Sequence, residues 1–577
     1  MSKQPLSFGK TILASGLGMV LASVVIGIIG FFLMLGTIAA FSKSPQPEAT
    51  KANTFLKIDL TQAIPERTPS ELQNLFSEED AVGLTTILKA LSAAENDKNI
   101  LGAYLYMGSG TMQSWGQCEE LRIALENFKK AGKTVVAYAD SYSQTGYYIA
   151  TISDHVMMGA AGQVDLRGIA AQPIFYKDLL DKWDIHMDLI RPKNNAYKSA
   201  GETYTMNHMS EANKEQIRAY ITSIWNHVSQ QIAESRHYSV DEVNTLADNL
   251  VGYIPQQAYT KAMVDTLCFE YDARQLMKDR YHMDKLEPIN KYAQKLQYTG
   301  TDQIAVIYAE GDVLTGRSNG FTTAVYGDDV AKAFDDAAKD TKIKAIVLRV
   351  NSPGGAVLAS ETMTAAIKRA KSQKPVIVSM SDVAASAGYE ISCYATKIVA
   401  LPTTLTGSIG VFASIPEIGT ALKKHLGITT DTVMTNHNAG AINGMRPMST
   451  QTREVMQRNI EDFYHTFISR VSEGRNIPVE KVDEIARGRV WTGAEAINIG
   501  LVDTLGSFAT AIELAAQEAE ISNYVVIDYP REKDLMTQII ELKTPQEAKL
   551  QSPLDELTRW ANMEPLQARL PFILNIQ

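Results

Sequence analysis

Two stretches of this 577-residue chain, about 240 residues apart, carry the same pattern. That duplication constrains the fold more than any other feature. NILGAYLYM (Asn99–Met107) parallels KIKAIVLRV (Lys342–Val350), and each is an apolar run rich in β-forming residues. Such runs suit parallel strands buried on both faces. A helical pattern follows each, over Glu119–Gly132 and Glu361–Gln373. KTVVAY (Lys133–Tyr138) then matches KPVIVS (Lys374–Ser379), and TGYYIA (Thr145–Ala150) matches AGYEIS (Ala387–Ser392). HMSEANKEQI (His208–Ile217) matches PMSTQTREVM (Pro447–Met456), and MVDTL (Met263–Leu267) matches LVDTL (Leu501–Leu505). Alternating strands and helices predict α/β units. The repeat is too long for a solenoid, so it predicts two homologous domains, 53–300 and 301–515, with a tail over 516–577. The tail carries no recognisable chemistry.

From Thr11 to Ser42 the chain runs 32 residues without a charge. About 20 apolar residues cross a bilayer, and the h-region of a cleavable signal peptide is shorter than this run. Residues 11–42 therefore read as a transmembrane signal anchor. A cytoplasmic tail (1–10) precedes it and a polar linker (43–52) follows. Lys3 and Lys10 flank one side and Lys43 and Lys51 the other, so charge sets the orientation only weakly. The expected placement is a single pass through the inner membrane, with the bulk on the periplasmic side.

With 45% hydrophobic and 21% charged residues, the chain fits the globular class. The formal charge of −10 argues against a nucleic-acid partner, which calls for a basic domain. Cys118, Cys268 and Cys393 are far apart and build no disulfide framework. The nine histidines show no metal-ligand spacing. No metal and no cofactor are expected.

The halves differ where chemistry would sit. NSPGG (Asn351–Gly355) follows the buried strand of the second half. Its glycines, Gly354 and Gly355, could turn backbone N–H groups toward a developing oxyanion. A tight turn is the competing reading. The first half has GSGTM (Gly108–Met112) there, with Thr111 and Met112 in place of the glycines. Ser408 sits in TLTGSIGVF (Thr404–Phe412), whereas the aligned DLRGIAA (Asp165–Ala171) puts Gly168 at the serine. A serine between glycines is also a common turn residue. Conversely, the first half has Lys198 in NNAYKSAGE (Asn194–Glu202), and the second has no lysine between Lys424 and Lys481. One site assembled from both halves would leave such an asymmetry. Random divergence would leave it too.

NSPGG, SAGYEIS and TLTGSIGVF, with YKSA in the preceding half, resemble the signal peptide peptidase A (protease IV) family in its long, membrane-anchored bacterial form. The likeness runs from the anchor to LVDTLGS, with four motifs in order within the duplicated frame. It implies tandem ClpP/crotonase-like domains of spiral ββα units after one N-terminal transmembrane helix. It also implies a serine–lysine dyad with Ser408 as nucleophile and Lys198 as general base. The oxyanion donors fall near Gly354 and Gly355, and the hydroxyl that holds the lysine falls on Thr429 or Thr430. Signal peptides and other short peptides are the implied substrates, and a homotetramer the implied assembly.

A lysine acts as a base only when neutral, so its pKa must fall far below about 10.4, which burial achieves. Lys198 is therefore expected in an apolar enclosure without a carboxylate partner. An ion pair with Glu202 would defeat the assignment. Three alternatives stand beside this reading. They are a crotonase-like acyl-CoA enzyme, a non-catalytic membrane scaffold on the same fold, and a Ser–His–Asp site using His425 or His437. If duplication let each half give up one catalytic residue, neither half is active alone.

Overall fold

A computed structural model describes residues 18–19, 21–22, 25–27, 29–30, 49–70, 73, 81–109, 113–318, 323–532 and 566–569. The chain divides into two units, Met1–Thr50 and Lys51–Gln577. In the first, the described residues from Gly18 to Gly30 are helical. Most of the expected anchor lies outside the described residues, among which no helix is long and apolar enough to cross a membrane.

The second unit begins with a six-stranded sheet. Its strands are β1 (Thr54–Asp59), β2 (Ile100–Tyr106), β3 (Thr134–Ala139), β4 (His155–Met158), β6 (Thr266–Leu267) and β7 (Lys285–Pro288). They lie in the order β6-β4-β3-β2-β1-β7, every pair parallel. The second half repeats this with β8 (Asp302–Glu310), β11 (Ile343–Ser352), β13 (Val376–Ala385), β14 (Lys397–Ala400), β18 (Thr504–Leu505) and β19 (Tyr524–Tyr529). The order β18-β14-β13-β11-β8-β19 is again parallel throughout. Each repeated strand motif thus occupies the same place in its own sheet, and the α/β reading of the sequence is the observed class. The far end of β13 also pairs with β15 (Leu405–Gly407), which pairs antiparallel with β17 (Val490–Thr492).

The equivalence moves one boundary. β19, assigned above to the tail, takes the place of β7 at the edge of the second sheet. Residue 515 falls inside the helix Phe508–Glu518, which buries Phe508, Ala511, Ile512, Ala515 and Ala516. The second half therefore extends to about 529, because its edge strand follows its last helix.

Alternation along β11 explains how the halves join. Successive residues of a strand point to opposite faces. Ala345 and Val347 belong to the core that contains the first half's Leu56, Leu91 and Leu121. Ile346, Leu348 and Val350 face a second core with Phe334, Met363 and Ile367. One face of the second sheet is thus buried against the first half. A charged bridge crosses that contact: Arg349 on β11 donates to Glu66 at 2.8 Å and to Glu120 at 2.7 Å, all three fully buried. The repeated serines Ser210 and Ser449 cap two 26-residue helices, Glu211–Arg236 and Thr450–Arg475, by accepting from the N–H groups of Asn213 and Thr452.

A third sheet mixes both halves. It runs β10 (Val325–Tyr326), β9 (Val313–Leu314), β12 (Gly354–Ala356), β20 (Leu566–Arg569), β16 (Phe412–Glu417) and β5 (His186–Ile190). β5 comes from the first half and pairs antiparallel with β16 of the second, Ile190 opposite Ala413.

Candidate active site

The β5–β16 pairing places the two chain segments that carry the site. Lys198 follows β5 by eight residues, and Ser408 precedes β16 by four. The lysine segment is then held by backbone bonds. Tyr197 N–H donates to Arg487 C=O at 3.0 Å, and the Arg191 guanidinium donates to Lys198 C=O at 3.1 Å. On the serine side, Ser408 N–H donates to Arg489 C=O at 2.7 Å, and Gly488 N–H to Ile409 C=O at 2.8 Å. The Arg487–Arg489 turn therefore braces both segments. Gly488 has φ +79°, and a Cβ there would lie 2.5 Å from the backbone nitrogen of Lys198.

Lys198 Nζ lies within hydrogen-bond distance of Ser386 Oγ at 2.8 Å, Ser408 Oγ at 3.0 Å and Ser408 C=O at 3.0 Å. All three residues are completely buried. Burial alone pushes the Lys198 amine well below its ordinary range. Glu202 does not oppose this. It accepts from Ser210 Oγ at 2.7 Å and from Asn213 at 3.2 Å, and lies 3.6 Å from Arg191.

Ser386 is the residue the sequence reading missed, and Thr429 and Thr430 are not at the site. Both threonines lie exposed beyond the helix Gly419–Leu426. Ser386 stands between β13 and the short helix Ala387–Glu390, with φ 55° and ψ −116°. Ser408 also has positive φ, at 48°. Sparsely populated backbone of this kind costs about 1–3 kcal/mol per residue and clusters at functional sites. SAGYEIS contains Ser386, yet nothing in its composition reveals a backbone turned toward a lysine 188 positions earlier.

Comparison of the halves supplies a signal. Ser386 Oγ donates to Gly410 C=O at 3.3 Å. In the first half Gln144 Nε2 donates to Gly168 C=O at 3.0 Å, and Gln144 Oε1 accepts from Gly168 N–H at 2.9 Å. With Gly146 matched to Gly388, Gln144 stands where Ser386 does, and Gly168 corresponds to Gly410. The bridge Tyr142–Val164 then corresponds to Ala384–Thr406. The position of Ser408 is thus held in the first half by buried Leu166, two residues before the Gly168 read from the sequence. A leucine and a glutamine fill the spaces of both serines, so the first half has no hydroxyl pair of its own.

Gly354 and Gly355 lie in β12, and Gly354 has φ +102°. The Gly354 amide donates to Ser352 Oγ at 3.2 Å. A Cβ on Gly388 would sit 2.8 Å from Ser352 C=O, which sets this loop against the turn bearing Ser386. Thr111 and Met112, the first-half counterparts, lie outside the described residues. His425 pairs with Asp184 at 2.8 Å on the surface, and His437 is exposed, whereas Ser408 is buried. The histidine alternative therefore has no geometric support. Among the described residues no group of three or more His, Cys, Asp or Glu could hold a metal ion.

The family model described as peptidase family S49 matches residues 127–284 and 368–522, once in each half. Protease 4 of Salmonella typhi is 35% identical over 476 residues, covering 80% of this chain and 76% of that one. Protease 4 of Haemophilus influenzae is 31% identical over 516 residues, covering 85% and 83%. The chloroplastic serine protease SPPA of Arabidopsis thaliana is 28% identical over 535 residues, covering 89% and 78%. These likenesses define a serine endopeptidase, and the acyl-CoA and scaffold readings fall away. More narrowly, the chain belongs to peptidase family S49, of the signal peptide peptidase A (protease IV) kind.

Proposed function

We propose that Ser408 and Lys198 form the catalytic dyad, and that Ser386 orients the lysine. The observation that carries this reading is the 3.0 Å contact between Lys198 Nζ and Ser408 Oγ in a buried pocket without a carboxylate partner to the amine. A serine hydroxyl needs a neighbouring base, and lysine serves where the site keeps it neutral. Neutral Lys198 takes the Ser408 proton as Oγ attacks the peptide carbonyl. The resulting ammonium passes that proton to the leaving amine, and the peptide C–N bond breaks. Water then gives a proton to Lys198 and attacks the acyl-enzyme, and the ammonium returns the proton to Ser408 as the ester opens.

The amides of Gly354 and Gly355 are the oxyanion donors in this reading. That of Gly354 would exchange its long bond to Ser352 for the developing charge. The domains are read as ClpP/crotonase-like spirals. Substrates are signal peptides and other short or unfolded chains, reached by an enzyme anchored in the inner membrane through 11–42, with its bulk in the periplasm, and assembled as a homotetramer. Ser408→Ala and Lys198→Ala should each abolish turnover of an unfolded peptide, and a phosphonate should label Ser408 alone. Full turnover by Lys198→Ala would refute the dyad. Full-length protein in a carbonate-washed inner-membrane fraction would support the anchor, and its recovery in the wash would refute it.

A further inference from the structure

The turn that carries Gly354 and Gly355 is entered through a bulge. Along β11 and β13, Val350 stands opposite Met380, yet Ser352 stands opposite Ala384. Asn351 alone therefore faces the stretch of β13 from Ser381 to Val383. Extra residues on one strand interrupt the ladder and bend it, a device common beside active sites. Both strands lead to the site: β11 runs into the NSPGG turn, and Ser386 follows the last residue of β13.

Asn351 closes the gap with its side chain. Its Oδ1 accepts from Val383 N–H at 3.3 Å, and its Nδ2 donates to Glu66 Oε1 at 3.0 Å. Its C=O accepts from Gly311 N–H at 2.9 Å. Ser352 Oγ donates to Gly311 C=O at 2.7 Å and accepts from the Gly354 amide at 3.2 Å. Glu66 belongs to the first half, between β1 and the helix Leu84–Glu95, and is 1% exposed. Its carboxylate also accepts from Ser381 Oγ and Arg349 Nε. A second first-half group enters the same bulge, where Gly116 N–H donates to Asp382 at 2.9 Å. A chain of hydrogen bonds thus runs from Glu66 through Asn351, Gly311 and Ser352 to the Gly354 amide.

We propose that Glu66 is a positioning residue which, acting through Asn351, holds the NSPGG turn so that the Gly354 and Gly355 amides face the oxyanion. The proposal rests on the oxyanion reading of those glycines. It gives the first half a second part in the reaction besides Lys198. Removing an oxyanion donor outright costs about 10²–10³ in kcat, so a displaced turn should cost about tenfold or more.

Glu66→Gln tests the contact. Arg349 draws the one remaining side-chain oxygen, so the new NH2 group meets the Asn351 NH2 and the bond is lost. With an unfolded peptide, kcat should fall by at least about tenfold. Affinity for a peptide aldehyde, whose hemiacetal presents the same oxyanion, should fall in step. The acid limb of the pH profile, set by Lys198, should stay in place. Asn351→Ala leaves the Arg349 bridge whole and should act alike, which covers a Glu66→Gln protein that does not fold. Glu66→Gln combined with Asn351→Asp restores the bond with donor and acceptor exchanged, and should return kcat to within about threefold of the parent. Glu120→Gln cuts the other arm of the Arg349 bridge without touching Asn351, and should keep kcat within about threefold. Unchanged kcat in Glu66→Gln or in Asn351→Ala overturns the proposal alone. So does a moved acid limb, an equal loss in Glu120→Gln, or an exchange that recovers nothing. A lowered kcat with unchanged aldehyde affinity overturns the oxyanion reading along with it.

Discussion

Lys198 Nζ lies closer to Ser386 Oγ, at 2.8 Å, than to Ser408 Oγ, at 3.0 Å. The amine is thus held from one side by a fixed hydroxyl while it faces the proposed nucleophile on the other. Ser386 Oγ in turn donates to Gly410 C=O, two residues beyond Ser408. The two serines and the lysine form one small network, and removing the holding member should loosen the geometry of the rest.

Ser386→Ala should lower kcat by about 10²-fold while changing KM little, because only base positioning is lost. Steady-state kinetics on an unfolded peptide, with circular dichroism to confirm folding, checks this. Unchanged kcat would show that Ser386 is structural.

Activity should rise with pH as Lys198 loses its proton, with the acid limb well below the ordinary lysine range. Stability carries a linked signature. A lysine with a lowered folded pKa binds fewer protons folded than unfolded, so its contribution improves as pH climbs from the folded value toward about 10.5. Lys198→Met removes that dependence. Its gain in melting temperature over the parent should be largest near neutrality and shrink toward pH 10. A constant difference across that window would mean that Lys198 ionises normally.

Glu120→Ala should strongly destabilise the soluble unit. Glu120 accepts from Arg349 and also from the Phe508 N–H at 3.0 Å, all within the contact between the halves. Breaking a buried pair by removing one partner costs about 3–5 kcal/mol, since the other charge stays buried. Urea denaturation should show the loss. A shift below about 0.5 kcal/mol, the usual size at surface sites, would contradict it.

Gly488→Ala should abolish activity with less harm to folding than its burial suggests. Its φ of +79° disfavours a side chain, and the added Cβ would meet the Lys198 backbone at 2.5 Å. The expected relief is a displaced Lys198 and a large drop in phosphonate labelling of Ser408. Wild-type labelling would show that the segment adapts.

The sequence determined the duplication and the α/β class, because each is written locally. Buried parallel strands need unbroken apolar runs, and motifs repeated in order imply repeated units. The reading failed where position depends on pairing between distant segments. Thr429 and Thr430 were placed at the site by family resemblance alone, yet proximity follows the fold. Ser386 reaches Lys198 because β5 of one half joins β16 of the other. The Gly168 correspondence slipped by two residues because strand register is fixed by the ladder rather than by motif similarity. The tail likewise offered no chemistry in its residue types, and only strand pairing put Leu566–Arg569 beside Gly354 and Gly355. Hydrophobic periodicity is local, so sequence alone could fix the elements. Which edges meet, and hence which hydroxyl faces the buried amine, was decided by tertiary structure.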